Sequence, residues 1–151
     1  MMRYLSVAAL VAVGATFAFA QGVTGPAAIE ARQKAMKAVG GAAKDLTAMN
    51  KGEAPFDAAK ANAGFKIMEE NFTKAKGFFP DDSKTGGNTE ALPTIWEKKA
   101  DVTAKFDKAA ADAKAAAGAS TSEAAFKDQF KQVVSNCGGC HKEYRKPPEK
   151  K

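Results

Sequence analysis

The sequence has 151 residues and a net charge of +6, but only two cysteines and one histidine. A chain of about 150 residues supports one domain, and two cysteines cannot build the framework of a disulfide-rich fold. With a single histidine they also cannot complete a four-ligand zinc site without carboxylates, and a Ser-His-Asp enzyme would depend on His141 as its base. We therefore expect the chemistry of the chain to lie near Cys137, Cys140 and His141.

The first twenty residues have the pattern of a secretory signal peptide. Arg3 precedes an almost wholly apolar run over residues 5–17, and residues 18–20 have the small-x-small form that signal peptidase needs. The alternative, a membrane anchor, requires roughly 20 apolar residues, which is more than this run offers. We predict cleavage after Ala20, export to a compartment such as a bacterial periplasm, and a domain over residues 21–151. Loss of Arg3 lowers the net charge from +6 to +5, and no later stretch is apolar enough to span a membrane.

Glycine and proline divide the rest of the chain into four amphipathic blocks, and strand-forming residues are too sparse for a sheet. Residues 27–49 and 56–76 place apolar side chains three, four and seven residues apart, as one face of a helix does. A third helix is predicted over residues 93–117, because a proline is tolerated in a first turn. A fourth begins after a Thr121 or Ser122 cap and stops before Pro147. The sequence predicts an all-α fold, an antiparallel four-helix bundle.

The last predicted helix contains a Cys-x-x-Cys-His motif made by Cys137, Cys140 and His141. This motif is the attachment signature of a c-type haem. Residues three and four apart lie on one helix face, so both thiols can reach the two vinyl groups of one porphyrin edge while the imidazole points at the iron. Haem attachment also fits the signal peptide, since it takes place after export. We expect one covalently attached haem c, bound to the C-terminal helix.

Three other interpretations of the motif are weaker. Cysteines three apart in a regular helix meet poorly in a disulfide, which would also leave His141 unexplained. A thioredoxin-like redox pair needs a preceding strand, and the chain predicts none. A lone histidine is usually a surface or core side chain, but here it directly follows the cysteine pair.

The position of the motif, ten residues from the carboxyl terminus, separates two kinds of haem protein. Small cytochromes of the mitochondrial type carry it near the amino terminus. This chain instead resembles the class II c-type cytochromes, the cytochrome c′ and cytochrome c-556 group. The resemblance covers the chain after the signal and rests on these motifs: Arg32-Gln33-x-x-Met36, Lys51-Gly52-Glu53, Pro55-Phe56, Phe79-Pro80, Pro93-x-Ile95-Trp96 and Cys137-x-x-Cys140-His141-x-x-Tyr144-Arg145.

The resemblance implies a role for each site residue. His141 is the proximal axial ligand, and Cys137 and Cys140 form the thioethers. Met36 lies in the first helix. In the cytochrome c-556 pattern this methionine is the sixth ligand of the iron, whereas in some cytochromes c′ it lies on the distal side without binding. A third possibility is that Met36 only packs in the core. Arg32 shares a face with Met36 and pairs with a haem propionate, unless it is a solvated surface arginine. Gln33 is a weaker candidate for a contact at the haem edge.

Electron transfer in the periplasm is the expected function, with low-spin iron held by His141 and Met36. The alternative is a five-coordinate, high-spin haem that binds nitric oxide or carbon monoxide, as cytochrome c′ does. An enzyme is not expected, since no second histidine is present as a proton shuttle. The positive charge suits redox partners with acidic surfaces, or simply keeps the chain soluble. Nucleic acid is not expected as a partner, and the protein is either a monomer or a homodimer.

Overall fold

The computed structural model describes residues 22–148. The predicted signal peptide, residues 1–20, and its cleavage site lie outside these residues. The described chain forms five α-helices and one turn of 3-10 helix, Asp81–Ser83; the α-helices are α1 (Gly25–Asn50), α2 (Ala58–Ala75), α3 (Thr94–Glu97), α4 (Lys99–Ala119) and α5 (Glu123–Tyr144). The four long helices pack as an antiparallel four-helix bundle, which confirms the predicted fold class. No helix among residues 22–148 is long and apolar enough to cross a membrane.

The sequence marks the starts of two long helices with short polar side chains. The carboxylate of Asp57 accepts a hydrogen bond from the Lys60 amide at 3.0 Å, which caps α2. The hydroxyl of Ser122, one of the two predicted caps, accepts from the Ala125 amide and starts α5. These side chains satisfy amide groups that have no partner inside the helix.

The predicted third helix is interrupted at Lys98, whose backbone leaves the helical region (φ −121°, ψ 41°). The single turn α3 precedes the break, and α4 follows it. In α3 the Ile95 side chain is buried, and the Trp96 indole donates to the Pro80 carbonyl at 3.0 Å. Propensity and periodicity could not reveal this break, because the contacts that accompany it join α3 to a distant loop.

One half of the bundle has a densely packed core. The ring of Phe126 lies 6.1 Å from that of Phe65 and 5.6 Å from that of Phe56. Gly64 lets α2 approach α1 closely, since a Cβ atom there would lie 3.0 Å from a methyl carbon of Leu46. Small side chains serve the same purpose in α4, where the following alanines are buried: Ala109, Ala113, Ala116 and Ala117.

The other half of the bundle is open inside. There the first half of α1, the end of α2, the beginning of α4 and the end of α5 meet, as the antiparallel order requires, and they surround a cavity. A long connection, residues 76–93, covers this end of the bundle. The cavity interrupts the apolar core in this half of the bundle, and it contains the residues singled out by the sequence.

Candidate functional site

The cavity has a volume of about 720 Å³ and receives side chains from all four long helices. Cofactor sites in proteins typically measure about 300–1,000 Å³ and are mostly apolar with a few polar groups. Both conditions are met here: the walls are largely aliphatic and aromatic, and polar groups enter from α1, α4, α5 and the covering loop. The structure also brings all six predicted site residues to this one cavity, namely Arg32, Gln33, Met36, Cys137, Cys140 and His141.

Cys137, Cys140 and His141 line the cavity from the last two turns of α5. Both cysteines are half-buried free thiols, and burial raises the pKa of each. The His141 ring is more exposed at the edge of the cavity, and burial together with the nearby Arg145 charge lowers its pKa. A neutral imidazole at neutral pH is the form in which histidine binds a metal.

Met36 lines the cavity from α1, on the wall that α1 contributes together with Val39, Gly40 and Ala43. Its side chain is half-buried. It therefore lies in the same cavity as His141 but on a different helix. Met49 and Met68, by contrast, are buried in the core and do not line the cavity, as expected for packing residues.

Arg32 is a buried residue, only 5 % exposed, and not a solvated surface arginine. Its guanidinium donates to the Ser83 hydroxyl and carbonyl, both at 2.9 Å, to the Thr89 hydroxyl at 2.7 Å and to the Phe78 carbonyl at 3.2 Å. It also lies over the Phe79 ring, 5.2 Å from its centroid. Arg32 thus ties the covering loop to α1.

The cation of Arg32 has no carboxylate in ion-pair contact within residues 22–148. Burial lowers its pKa, although an arginine stays protonated at any ordinary pH. Because a buried cation is unfavourable without a counter-charge, the cavity beside Arg32 suits an anionic group of a ligand.

The segment 88–92 connects the α1 wall of the cavity to the α5 wall. At one end the exposed Gln33 donates to the Asn88 carbonyl at 2.9 Å. At the other, the Glu90 carboxylate accepts from the Arg145 guanidinium at 2.8 Å, and the Lys146 amide donates to the Glu90 carbonyl. The segment therefore holds the end of α5, and with it His141, in place beside α1.

Two polar clusters fasten α5 to α4 on either side of the cysteines. Before Cys137, the Asn136 amide donates to the Asp112 carboxylate at 2.7 Å. After Cys140, the Tyr144 hydroxyl donates to the Asp101 carboxylate. Lys105, which lines the cavity between these clusters, lies 3.8 Å from Asp101 and 3.6 Å from Glu143.

The residues of the cavity fit a covalently held haem. Two thiols on one helical wall can form two bonds to one porphyrin edge, and the histidine next to them is the nearest nitrogen ligand in the motif. The apolar walls suit the porphyrin faces, and Arg32 suits a propionate. Within the described residues 22–148 no group of three or more His, Cys, Asp and Glu side chains could hold a bare metal ion.

Sequence reasoning missed the contacts that hold this site together. Segment 88–92, Lys105 and the Asp101 carboxylate carry no motif and lie on elements far from Cys137 in the chain. The tyrosine and arginine after the motif were visible in the sequence, but their partners were not.

Comparison with known proteins agrees with the geometry. A family model described as cytochrome c′ matches residues 27–145. The cytochrome c′ of Rhodopseudomonas palustris is 41% identical over 144 residues, which cover 95% of this chain and 96% of that protein. The cytochrome c-556 of Agrobacterium fabrum is 38% identical over 118 residues, 78% of this chain and 80% of the relative. The solved structure of Rhodopseudomonas palustris cytochrome c′ superimposes with a TM-score of 0.79, covering 81% of this chain and 98% of that one.

Fold and cavity together define a helical-bundle haem protein of the c type. The chain belongs to the cytochrome c′ family, the class II c-type cytochromes, whose relatives include proteins named cytochrome c′ and cytochrome c-556. The family confirms the predicted cofactor, one covalently attached haem c. It also places the chain among haem proteins and not among enzymes, as predicted.

Proposed function

We propose that the protein is an exported electron carrier whose haem is attached through Cys137 and Cys140 and ligated by His141 and Met36. The observation that carries this proposal is the single cavity of about 720 Å³ that is bordered by Met36 on α1 and by the haem-attachment motif on α5. The bound haem would supply an iron that cycles between the ferrous and ferric states. Methionine opposite histidine raises the reduction potential of such an iron.

The chain itself would supply attachment and orientation. The thiols would fix one porphyrin edge to α5, and His141, which lines the same cavity, would hold the iron. Segment 88–92 and the Asp101–Tyr144 hydrogen bond hold α5 on two sides. Arg32, a buried cation without a carboxylate partner in residues 22–148, supports a propionate there, with Gln33 at the rim.

The cellular setting is part of the same proposal. The signal peptide over residues 1–20 supports export and the periplasm, where haem attachment takes place. The domain then comprises residues 21–151, carries a net positive charge and meets redox proteins with acidic surfaces. It works as a monomer or a homodimer.

A second function, binding of nitric oxide or carbon monoxide at a five-coordinate haem, is favoured by one structural feature. Gly40 lines the cavity one turn after Met36, and a Cβ atom there would meet no other atom within 4 Å. This leaves room on the α1 side for a small ligand if Met36 does not bind. The similarity to proteins named cytochrome c′ points the same way.

Absorption spectra of the exported protein test both functions. A denatured sample must first show covalently bound haem. A colourless band on a haem-stained gel would contradict both proposed functions. Ligation by Met36 predicts a sulfur-to-ferric-iron charge-transfer band in the oxidised protein and poor binding of carbon monoxide in the reduced one. A high-spin oxidised spectrum with rapid uptake of carbon monoxide would favour gas binding instead.

A further inference from the structure

Along the seam between α1 and α5, exposed residues of both helices line the cavity. Gly40 lines the cavity from α1 and is exposed. On α5, the exposed Gly138 and His141 border a surface groove of about 480 Å³ that also contains Lys142. A haem bound to the cysteines of α5 would therefore have one edge near this seam.

Four exposed lysines share the seam with these glycines. Lys37 lies three residues before Gly40 and Lys44 four residues after it, so all three are on one face of α1. On α5, Lys142 lies one turn after Gly138 and Lys131 two turns before it. We call the surface formed by Lys37, Gly40, Lys44, Lys131, Gly138 and Lys142 the α1–α5 face.

The lysines of this face have no acidic partner in ion-pair contact among the described residues, whereas six of the nine lysines on or beside α2 and α4 have one. Lys37, Lys44, Lys131 and Lys142 make no ion pair within residues 22–148, whereas the following lysines on or beside α2 and α4 each lie within 4.0 Å of a carboxylate: Lys60, Lys74, Lys76, Lys99, Lys105 and Lys108. The nearby carboxylate of Glu90 is bound to Arg145. A smaller share of the lysine charge is therefore neutralised by ion pairs around the seam than along α2 and α4.

We propose that the α1–α5 face is the docking surface for an acidic redox protein. The proposal rests on the proposed electron-carrier function and adds the place and chemistry of the encounter. Unpaired lysines steer an acidic partner toward this face by long-range attraction. Gly40, Gly138 and Gly139 carry no side chains, and a Cβ atom at any of them would meet nothing within 4 Å, so the partner can approach the helix backbone. A short distance to the haem edge favours electron transfer, because the rate falls steeply with distance.

The test uses the ferric holoprotein and, as an acidic probe, a reduced plant-type two-iron ferredoxin. One electron passes from the ferredoxin cluster to the haem iron, and stopped-flow absorbance gives the second-order rate constant at several salt concentrations. The face variant combines Lys37→Gln, Lys44→Gln, Lys131→Gln and Lys142→Gln. The control combines Lys34→Gln, Lys66→Gln, Lys98→Gln and Lys114→Gln, four other exposed lysines without an ion pair in residues 22–148, and has the same net charge.

At low salt we expect the face variant to be reduced on the order of tenfold more slowly than the unmodified protein, within the range that charge steering covers. Its rate should also depend less on salt, while the control variant keeps both the rate and the salt dependence. If the rate constant falls equally in the face variant and in the control variant, only the net charge matters and the proposal is wrong. A rate for the unmodified protein that does not fall as salt rises would also overturn the proposal.

Two further measurements distinguish a protein-docking surface from a lipid-binding surface and from a failure of the carrier function. If phosphatidylglycerol vesicles bind the unmodified protein but not the face variant, while the ferredoxin rates of the two are equal, the face binds lipid and the proposal is wrong. Cycling of the haem with small reductants and oxidants tests the carrier function alone. A haem that does not cycle would contradict the proposed function, whereas normal cycling with no effect of the face variant would contradict only the docking surface.

Discussion

The Tyr144 hydroxyl donates a hydrogen bond to the Asp101 carboxylate at 2.5 Å and so joins the last turn of α5 to the first turn of α4. The tyrosine side chain is buried, and it lies three residues after His141, within the turn that carries the proposed axial ligand. The bond therefore fixes where α5 ends relative to the cavity.

Replacing Tyr144 by phenylalanine removes this bond with almost no change in volume. We expect a lower urea midpoint of unfolding, since Asp101 loses its donor from α5, and a broader electron paramagnetic resonance signal of the ferric haem, since His141 is held less firmly. Asp101→Asn keeps an acceptor oxygen and should have a smaller effect on both. If Tyr144→Phe leaves midpoint and signal unchanged, the bond does not position the ligand.

The same hydrogen bond predicts a loss of stability at alkaline pH. The Asp101 acceptor and, after it, burial raise the pKa of Tyr144 to about 12, against about 10 for an unfolded tyrosine. Between these values the unfolded chain has released a proton that the folded chain retains, so the free energy of unfolding falls as pH rises from about 10 to about 12. Urea unfolding at a series of pH values should show this fall in the unmodified protein. If the free energy of unfolding of a Tyr144→Phe variant falls equally steeply with pH, another group causes the fall.

Arg32 is expected to stabilise the fold through the covering loop as well as to serve the haem. In Arg32→Lys the charge remains, but one ammonium cannot replace four guanidinium hydrogen bonds to Phe78, Ser83 and Thr89. We expect a loss of about 2 kcal/mol in the free energy of unfolding. Gln33→Ala, the neighbouring control, removes one exposed bond to Asn88 and should cost no more than about 0.5 kcal/mol. Similar losses in the two variants would contradict the role given to Arg32.

Two glycines in helices should respond to alanine in opposite directions. Alanine is the better helix former by about 1 kcal/mol, and at Gly41 a Cβ atom meets nothing within 4 Å, so Gly41→Ala should raise the urea midpoint. At Gly64 the new Cβ atom would lie 3.0 Å from the fully buried Leu46 side chain, and overpacking typically costs about 1–3 kcal/mol. Gly64→Ala should therefore lower the midpoint. A stabilised Gly64→Ala protein would mean that α1 and α2 separate more easily than their packing indicates.

The sequence predicted those parts of the molecule that depend on local pattern. Helical periodicity predicted the four long helices, and the spacing of Cys137, Cys140 and His141 predicted that they share one face of the last helix, because both follow from the geometry of one helix. The break at Lys98 and the burial of Arg32 could not be predicted in this way. Both involve the covering loop. Beside the break, Trp96 donates to the Pro80 carbonyl, and the loop residues that bind Arg32 lie 46 to 57 residues from it in the chain. Local pattern carries no information on such distant contacts.

Met36 is the residue on which the choice between the two functions depends, and replacing it separates them. Met36→Leu keeps an apolar side chain of similar size at the cavity wall but removes the sulfur. If Met36 binds the iron, the charge-transfer band of the oxidised protein disappears, the iron becomes high-spin, the reduction potential falls and carbon monoxide binds to the reduced form. Met49→Leu is the matched control, because Met49 is a buried methionine of the same helix that does not line the cavity. An unmodified protein that is already high-spin, and that Met36→Leu leaves unchanged, would show that Met36 packs beside the haem and that gas binding is the better function.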